Sequence, residues 1–162
     1  MKTLLVCRHA KALKDPEMGD LERPLLPEGF DAMREIAQRI VESGLVPEMI
    51  FSSQAVRAVE TMDAFITVSG FSGKKEVKRE LYGAEPATYI DVLNRAPEDV
   101  GTLMIVGHNP EIEEFVRKMT GKGIDMKASD IAVLRCPVEH WYDLSLEPVC
   151  ELTNVFTAHK CL

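Results

Sequence analysis

The sequence predicts an α/β domain of three layers, in which helices cover both faces of a mostly parallel sheet. Short apolar runs, typical of buried parallel strands, alternate with amphipathic helical patterns along the chain. The length of 162 residues and the hydrophobic fraction of 46% suffice for one packed core. We therefore expect a single domain that spans residues 1–162.

The first half of the chain predicts strands and helices in alternation. An apolar run, Leu4–Val6, is the first strand, and the polar segment behind it contains Pro16 and Gly19, which favour a loop. Apolar residues then recur at helical spacing up to Val41, and Gly44 suits the end of that helix. The predicted elements are a strand at 4–6, a loop at 11–22, a helix at 28–43, a strand at 49–51, a helix at 54–68 and a strand at 77–82.

The second half continues this alternation. Pro86 fits the first turn of a helix, and Asn109 suits an N-cap that is followed by Pro110 at the first helical position. β-Branched and aromatic residues near the C-terminus favour further strands. The predicted elements are a helix that begins near 86, a strand at 103–106, a helix after 110, a strand at 131–134 and one or two β segments within 141–159.

Composition narrows the class of protein. A net charge of −7 makes nucleic acid an unsuitable general partner, and no apolar run approaches the roughly 20 residues that cross a membrane. The three apolar residues behind Thr3 are too few for a signal peptide. Widely spaced cysteines without a CxxC pair argue against a disulfide framework and a zinc site. We expect a cytoplasmic protein with no metal, nucleic acid or membrane partner. The cysteines are Cys7, Cys136, Cys150 and Cys161.

Basic side chains follow three of the predicted strands. Arg8 and His9 come directly after the first strand, Arg57 lies near the start of the second helix, and His108 follows the strand at 103–106. The carboxyl ends of neighbouring parallel strands share one edge of a sheet, where ligands bind. Arginine presents a planar set of donors that matches phosphate oxygens, and histidine can act as a nucleophile. The pattern predicts a site that binds and attacks phosphate.

Each of these residues also has an ordinary structural interpretation. Arg8 and His9 fit an exposed pair at a strand end, Arg57 fits a solvated helix position, and His108 fits a turn or capping residue. Their occurrence at corresponding points of three strand-to-helix units favours the phosphate site.

Four segments resemble signatures of the histidine phosphatase superfamily, whose members share the phosphoglycerate-mutase-like fold. The order and spacing of the segments, over about residues 3 to 135, resemble the small SixA-type phosphohistidine phosphatases in particular. The segments are RHA at 8–10, RPL at 23–25 with Gly29, SSQAVRAVET at 52–61 and VGHNP at 106–110.

The resemblance implies a role for each candidate residue. His9 would accept the phosphoryl group, and Arg8, Arg57 and His108 would bind its oxygens. Water would then hydrolyse the phosphohistidine, and neither a cofactor nor a metal ion would be needed. The implied partner is a phosphorylated protein or a small phosphorylated molecule.

The chain departs from larger family members where those place an acidic proton donor. Arg79 stands at the corresponding position, and Glu80 is displaced by one residue, so that on a strand it would face away from the site. Imidazole leaves readily, whereas an alkoxide benefits from a proton donor, which favours a phosphohistidine substrate. A phosphatase of small metabolites and a non-catalytic phosphate-binding module remain alternatives. A basic rim that meets a phosphoprotein, or simply a solvated loop, could be formed by Lys11, Lys14 and Arg23.

Overall fold

A computed structural model describes residues 1–158 of the chain. Cys161 and the end of the segment predicted to run to residue 159 lie outside the described residues. Short 3-10 turns occur at Asp20–Glu22, Arg79–Leu81 and Trp141–Asp143. The strands and helices are β1 (Lys2–Arg8), α1 (Pro27–Glu42), β2 (Met49–Ser52), α2 (Val56–Ser69), β3 (Lys74–Val77), α3 (Pro86–Asn94), β4 (Thr102–Gly107), α4 (Glu111–Thr120), β5 (Ile131–Cys136) and β6 (Glu151–Phe156).

The six strands form one sheet with the order β3-β2-β4-β1-β5-β6. Strands β3, β2, β4 and β1 are parallel, whereas β5 and β6 pair in antiparallel fashion at one side. The predicted α/β class with a mostly parallel sheet is confirmed. Because β2, β4 and β1 are direct neighbours, the residues that follow them leave the sheet at one edge.

Alternating side chains of β1 enter two separate cores. Leu4 and Val6 pack with α3 and α4, whereas Leu5 and Cys7 pack with α1 and α2 on the opposite face. A strand directs successive side chains to opposite faces, so a continuous apolar run is what a strand covered on both sides requires. This packing forms the three layers and fixes the position of Arg8 at the end of β1.

The predicted strand at 77–82 is wrong. Strand β3 ends at Val77, which pairs with Ser52, the last residue of β2, and the final bond joins the Lys78 N–H to the Ser52 carbonyl. Beyond that point the edge strand has no partner, so the chain turns at 79–81 and buries Leu81 in the core.

The predicted start of α4 is also wrong in detail. Pro110 is the N-cap, and the helix begins at Glu111 after a cis peptide bond between Asn109 and Pro110. The Asn109 side chain does not cap the helix, because its amide donates to the Met126 carbonyl at 3.0 Å. It thereby fastens the segment behind β4 to the loop that follows α4.

Between β5 and residue 158, the chain contains a single strand, β6, and the buried Trp141. The indole N–H of Trp141 donates to the Val100 carbonyl at 2.7 Å, so the polar group of this packed side chain has a partner inside the core. Among residues 1–158, no helix has the length and apolar character needed to cross a membrane.

Candidate active site

The structure brings His9, His108 and Arg57 together at the edge where β1, β2 and β4 end. The ring centroids of His9 and His108 are 5.2 Å apart, and the Arg57 Nε lies 3.4 Å from the His9 Nε2. Arg57 and His108 are only 5% and 6% exposed, which rules out a solvated helix position for Arg57. The predicted meeting of these residues at one edge is observed.

The backbone carbonyl of Ala10 orients the imidazole of His9. The Nδ1 of His9 lies 2.7 Å from this oxygen, and a carbonyl can only accept a hydrogen bond, so Nδ1 carries the proton. The lone pair is then on Nε2, the atom that faces Arg57. Burial lowers the pKa of His9 to about 4, and the charges of Arg57 and Arg8 act in the same direction. His9 is therefore neutral at pH 7, with a nitrogen that can attack.

His108 is held by a serine at the end of β2. The Nε2 of His108 lies 2.8 Å from the Ser53 Oγ, and Ser53 itself is fully buried. Burial, followed by the nearby His9 and Arg57, lowers the pKa of His108 to about 3. A neutral His108 can offer a bound phosphate one N–H, while the positive charge of the pocket comes from the arginines.

Arg8 is anchored by the loop behind α4. Its Nη1 donates to the Met126 carbonyl at 2.8 Å, the same oxygen that the Asn109 amide contacts. The buried Nε of Arg8 has no hydrogen-bond partner among residues 1–158. One edge of the guanidinium is thus fixed, and a buried donor is left over for an anion.

Arg57 is held by a residue of the loop before α1. Its Nη1 donates to the backbone carbonyl of Asp20 at 2.7 Å, and its Nη2 lies 3.1 Å from the Asp20 carboxylate. The Tyr82 hydroxyl donates to the same carboxylate, and Arg23 binds the other oxygen at 3.0 Å. The hydrogen bond from Tyr82, with those from Arg57 and Arg23, holds the pKa of Asp20 well below its usual range.

Sequence reasoning missed Asp20, Tyr82 and Ser53 as members of this site. Asp20 stands three residues before Arg23, within a segment predicted only as a loop. The ring of Tyr82 lies edge-on to that of His108, with centroids 5.6 Å apart. Tyr82 lies in the segment predicted as a strand, and Ser53 lies in the segment SSQAVRAVET, but only the folded loops bring the two side chains to their partners.

Glu80 forms a salt bridge with an arginine. Its carboxylate pairs with Arg95 at 2.7 Å, and it lies in a 3-10 turn. The prediction that a strand would direct Glu80 away is wrong, because no strand forms there. Its salt bridge to Arg95 nevertheless gives it a partner other than the two histidines.

The three residues of the predicted basic rim have different surroundings. Lys11 is exposed and pairs with Glu28 at 3.1 Å. Lys14 and Arg23 line a cavity of about 480 Å³ that also reaches Asp20. This cavity opens beside the carboxylate that holds Arg57.

No model of a described protein family matches the chain. A protein of Mycobacterium tuberculosis (strain CDC 1551 / Oshkosh), the uncharacterized protein MT1313, is 32% identical over 154 residues, which cover 88% of this chain and 93% of that protein. A second relative, the uncharacterized chloroplastic protein At3g52155 of Arabidopsis thaliana, is 27% identical over 150 residues, or 86% of this chain and 69% of its own.

Solved structures resemble the whole described fold. A protein of Nakamurella multipartitia, provisionally named phosphohistidine phosphatase SixA, matches with a TM-score of 0.84 and 26% identity over 97% of this chain and 96% of its own. A provisionally named SixA of Agrobacterium tumefaciens matches with a TM-score of 0.82 and 25% identity, over 96% and 97% of the two chains.

Proposed function

Because the chain belongs to the histidine phosphatase superfamily, in the small branch of the SixA type, we propose that it removes phosphate from phosphohistidine side chains of a partner protein. The predicted family and its phosphoglycerate-mutase-like fold are confirmed by the solved relatives. A phosphatase of the histidine phosphatase type is the general function that follows from this membership. The phosphohistidine substrate and the roles of individual residues are our proposal.

The observation that carries this proposal is the orientation of His9. Its Nδ1 is fixed on the Ala10 carbonyl, its Nε2 faces the buried Arg57, and its low pKa keeps the ring neutral. A side chain that only binds phosphate gains nothing from a lone pair directed into the pocket, whereas a nucleophile requires it. We therefore favour an enzyme over a non-catalytic binding module.

The proposed reaction has two displacements at phosphorus. The lone pair of the His9 Nε2 attacks, the bond from phosphorus to the leaving nitrogen breaks, and its electron pair returns to the substrate ring. The phosphorylated His9 keeps its proton on Nδ1 and becomes cationic, and the Ala10 carbonyl stabilises that charge. Water then attacks phosphorus, gives its proton to the released phosphate, and restores neutral His9.

The oxygens of the transferring group would be bound by Arg8, Arg57 and His108. Arg8 keeps its buried Nε as a donor, and Arg57 directs its own Nε toward the nucleophile. Two guanidinium groups would supply the positive charge that other phosphoryl-transfer enzymes obtain from magnesium. The charge is greatest in the transition state, so fixed donors at this place accelerate the reaction.

The environment of the acidic residues supports a nitrogen leaving group. Glu80 is engaged by Arg95, and Asp20 is held ionised, so neither is suited to protonate an alkoxide. A phosphohistidine ring that is already protonated releases neutral imidazole, whose conjugate acid has a pKa of about 6.5, without that help. The rival function is a phosphatase of a small phosphorylated metabolite, for which the cavity of about 480 Å³ beside Asp20 has a suitable size.

The test compares substrates in the presence of a chelator. We expect the wild-type protein with EDTA to hydrolyse a histidine-phosphorylated protein faster than a panel of sugar phosphates. His9→Ala should abolish turnover, whereas His140→Ala, at an exposed histidine beside Glu98, should retain it. Faster hydrolysis of a sugar phosphate would favour the metabolite phosphatase, and phosphate binding without hydrolysis would favour the binding module.

A further inference from the structure

Asp20 combines firm anchoring with access to solvent. Its carboxylate contacts Arg57 at 3.1 Å and Arg23 at 3.0 Å, and it accepts a hydrogen bond from the Tyr82 hydroxyl. Half of its side chain is nevertheless exposed. The carboxylate that neutralises the buried Arg57 is therefore also accessible from the cavity that Asp20 lines.

The charge of Asp20 is fixed by the same contacts. Tyr82, Arg57 and Arg23 all donate to it, and each bond favours the ionised form. At neutral pH the side chain therefore has no proton to give. It can only accept a hydrogen bond or attract a positive charge.

The geometry points to Asp20 as a specificity-determining residue, whose carboxylate accepts the ring N–H of a protonated phosphohistidine that leaves as neutral imidazole, and so selects phosphohistidine over phosphate monoesters. This inference rests on the proposed function. It assigns to one side chain the choice between the two substrate classes.

The position of Asp20 relative to the nucleophile supports this role. One edge of the Arg57 guanidinium, its Nε, faces the His9 Nε2, and the opposite edge binds Asp20. In-line attack by His9 requires the leaving group on the side of phosphorus opposite the Nε2. We place it beside Asp20, the half-exposed anion that holds the Arg57 guanidinium and lines the adjoining cavity with Lys14 and Arg23.

The charge balance of the two reactions explains the selection. In protonated phosphohistidine, one ring nitrogen is bonded to phosphorus and the other carries a proton. Attack by His9 returns the electron pair to the first nitrogen, and a neutral imidazole leaves with its N–H directed at the carboxylate of Asp20. A departing alkoxide instead develops negative charge near that carboxylate, which is unfavourable.

Asp20→Asn separates selection from simple positioning of Arg57. The variant keeps the backbone carbonyl, which accepts from the Arg57 Nη1 at 2.7 Å, and an amide oxygen in place of the carboxylate. It loses the negative charge and one acceptor oxygen, because the two carboxylate oxygens accept from Arg23 and from Arg57 with Tyr82, and an amide NH2 can accept from neither. A residue that merely positioned Arg57 would affect every substrate alike, because every substrate uses that guanidinium.

The experiment measures kcat/KM for a histidine-phosphorylated peptide, p-nitrophenyl phosphate and glucose 6-phosphate. Loss of a charge-assisted hydrogen bond predicts that Asp20→Asn lowers the value for the phosphopeptide about 10- to 100-fold. The values for the two monoesters should fall less or rise, because the substitution removes the negative charge that opposes a departing alkoxide, so the ratio of phosphopeptide to monoester values should fall at least about tenfold. Asp20→Glu should recover part of the selectivity, and Asp31→Asn, an exposed aspartate paired with Arg34, should behave as wild type.

Two results overturn the role of Asp20. Equal losses for all three substrates would show that Asp20 only positions Arg57, and unchanged values for all three would show that its charge has no effect on catalysis. In both cases the wild-type protein still hydrolyses phosphohistidine, so the proposed function survives. A wild-type protein that hydrolyses only the monoesters would instead refute the phosphohistidine substrate itself, and the selectivity with it.

Discussion

The hydroxyl of Thr61 accepts a hydrogen bond from the backbone N–H of Ala10 at 2.9 Å. The same hydroxyl donates to the backbone carbonyl of Arg57 at 2.7 Å, and both bonds are buried. One side chain therefore joins the segment that carries His9 to the first turn of α2. The distance between the proposed nucleophile and the buried guanidinium depends on this link.

Thr61→Val removes that link while keeping the shape of the side chain. The Ala10 N–H loses its partner in a buried place, so we expect the free energy of unfolding to fall by about 1–3 kcal/mol. We also expect kcat/KM to fall, because His9 and Arg57 are no longer held together. Urea unfolding and steady-state kinetics measure the two effects.

Thr67→Val is the matched control. Thr67 lies on the same helix and also donates to a carbonyl four residues earlier, that of Asp63 at 2.8 Å, but it is exposed. Its replacement should change the free energy of unfolding by no more than about 0.5 kcal/mol. Equal effects of the two substitutions would contradict the role given to Thr61.

Ser53→Ala tests the support of His108. The substitution removes the hydroxyl 2.8 Å from the His108 Nε2, so we expect kcat to fall about tenfold, or about 1.4 kcal/mol. Ser52→Ala is the control, because Ser52 is equally buried and its hydroxyl donates to the Ser53 carbonyl at 2.9 Å. Comparable losses of kcat in both variants would mean that the contact with His108 has no special effect.

The protonation of the two histidines can be followed by NMR. We expect the ring of His9 to titrate at about 4 and that of His108 at about 3, with His9 in the Nδ1–H tautomer at pH 7. In an unfolded chain each histidine has a pKa near 6.5. Between pH 6.5 and the lower folded pKa values, the unfolded chain therefore binds more protons than the folded one, and the free energy of unfolding should decline as the pH falls below about 6.5. A His9 midpoint near 6.5 would contradict the buried, neutral nucleophile.

Gly107→Ala tests the close packing at the end of β4, which positions His108. A β-carbon at residue 107 would lie 2.2 Å from the Tyr89 hydroxyl oxygen and 3.1 Å from Ile112. The end of β4 must shift, and we expect a loss of about 1–3 kcal/mol in stability together with reduced activity. Gly123→Ala, where nothing lies within 4 Å, should be close to neutral. Wild-type activity in Gly107→Ala would show that the strand end tolerates displacement.

Much of this site can be predicted from the sequence, because its candidate catalytic residues lie at or next to the ends of strands. Buried parallel strands have strong apolar patterns. Arg8 ends one of them, and His9 and His108 follow the ends of β1 and β4. Once β1 and β4 are neighbours, these residues must share an edge. Arg57 follows in the same way, at the start of the helix behind β2.

The support around these residues could not be predicted, because it depends on contacts between loops. The hydrogen bond from Tyr82 to Asp20 joins positions 62 residues apart, and neither segment has a periodic pattern. The end of β3 depends on where its partner β2 ends, which the edge strand's own residues do not encode. The Asn109 side chain likewise donates to the Met126 carbonyl instead of capping α4, as its local sequence favours.

The most direct test of the account is to trap the phosphorylated enzyme. Wild-type protein mixed with a histidine-phosphorylated substrate is quenched in alkali during turnover, digested and examined by mass spectrometry. We predict an acid-labile phosphoryl group on His9, and none in the His9→Ala variant. Label on His108 or on a hydroxyl side chain, or rapid turnover by His9→Ala, would contradict His9 as the nucleophile.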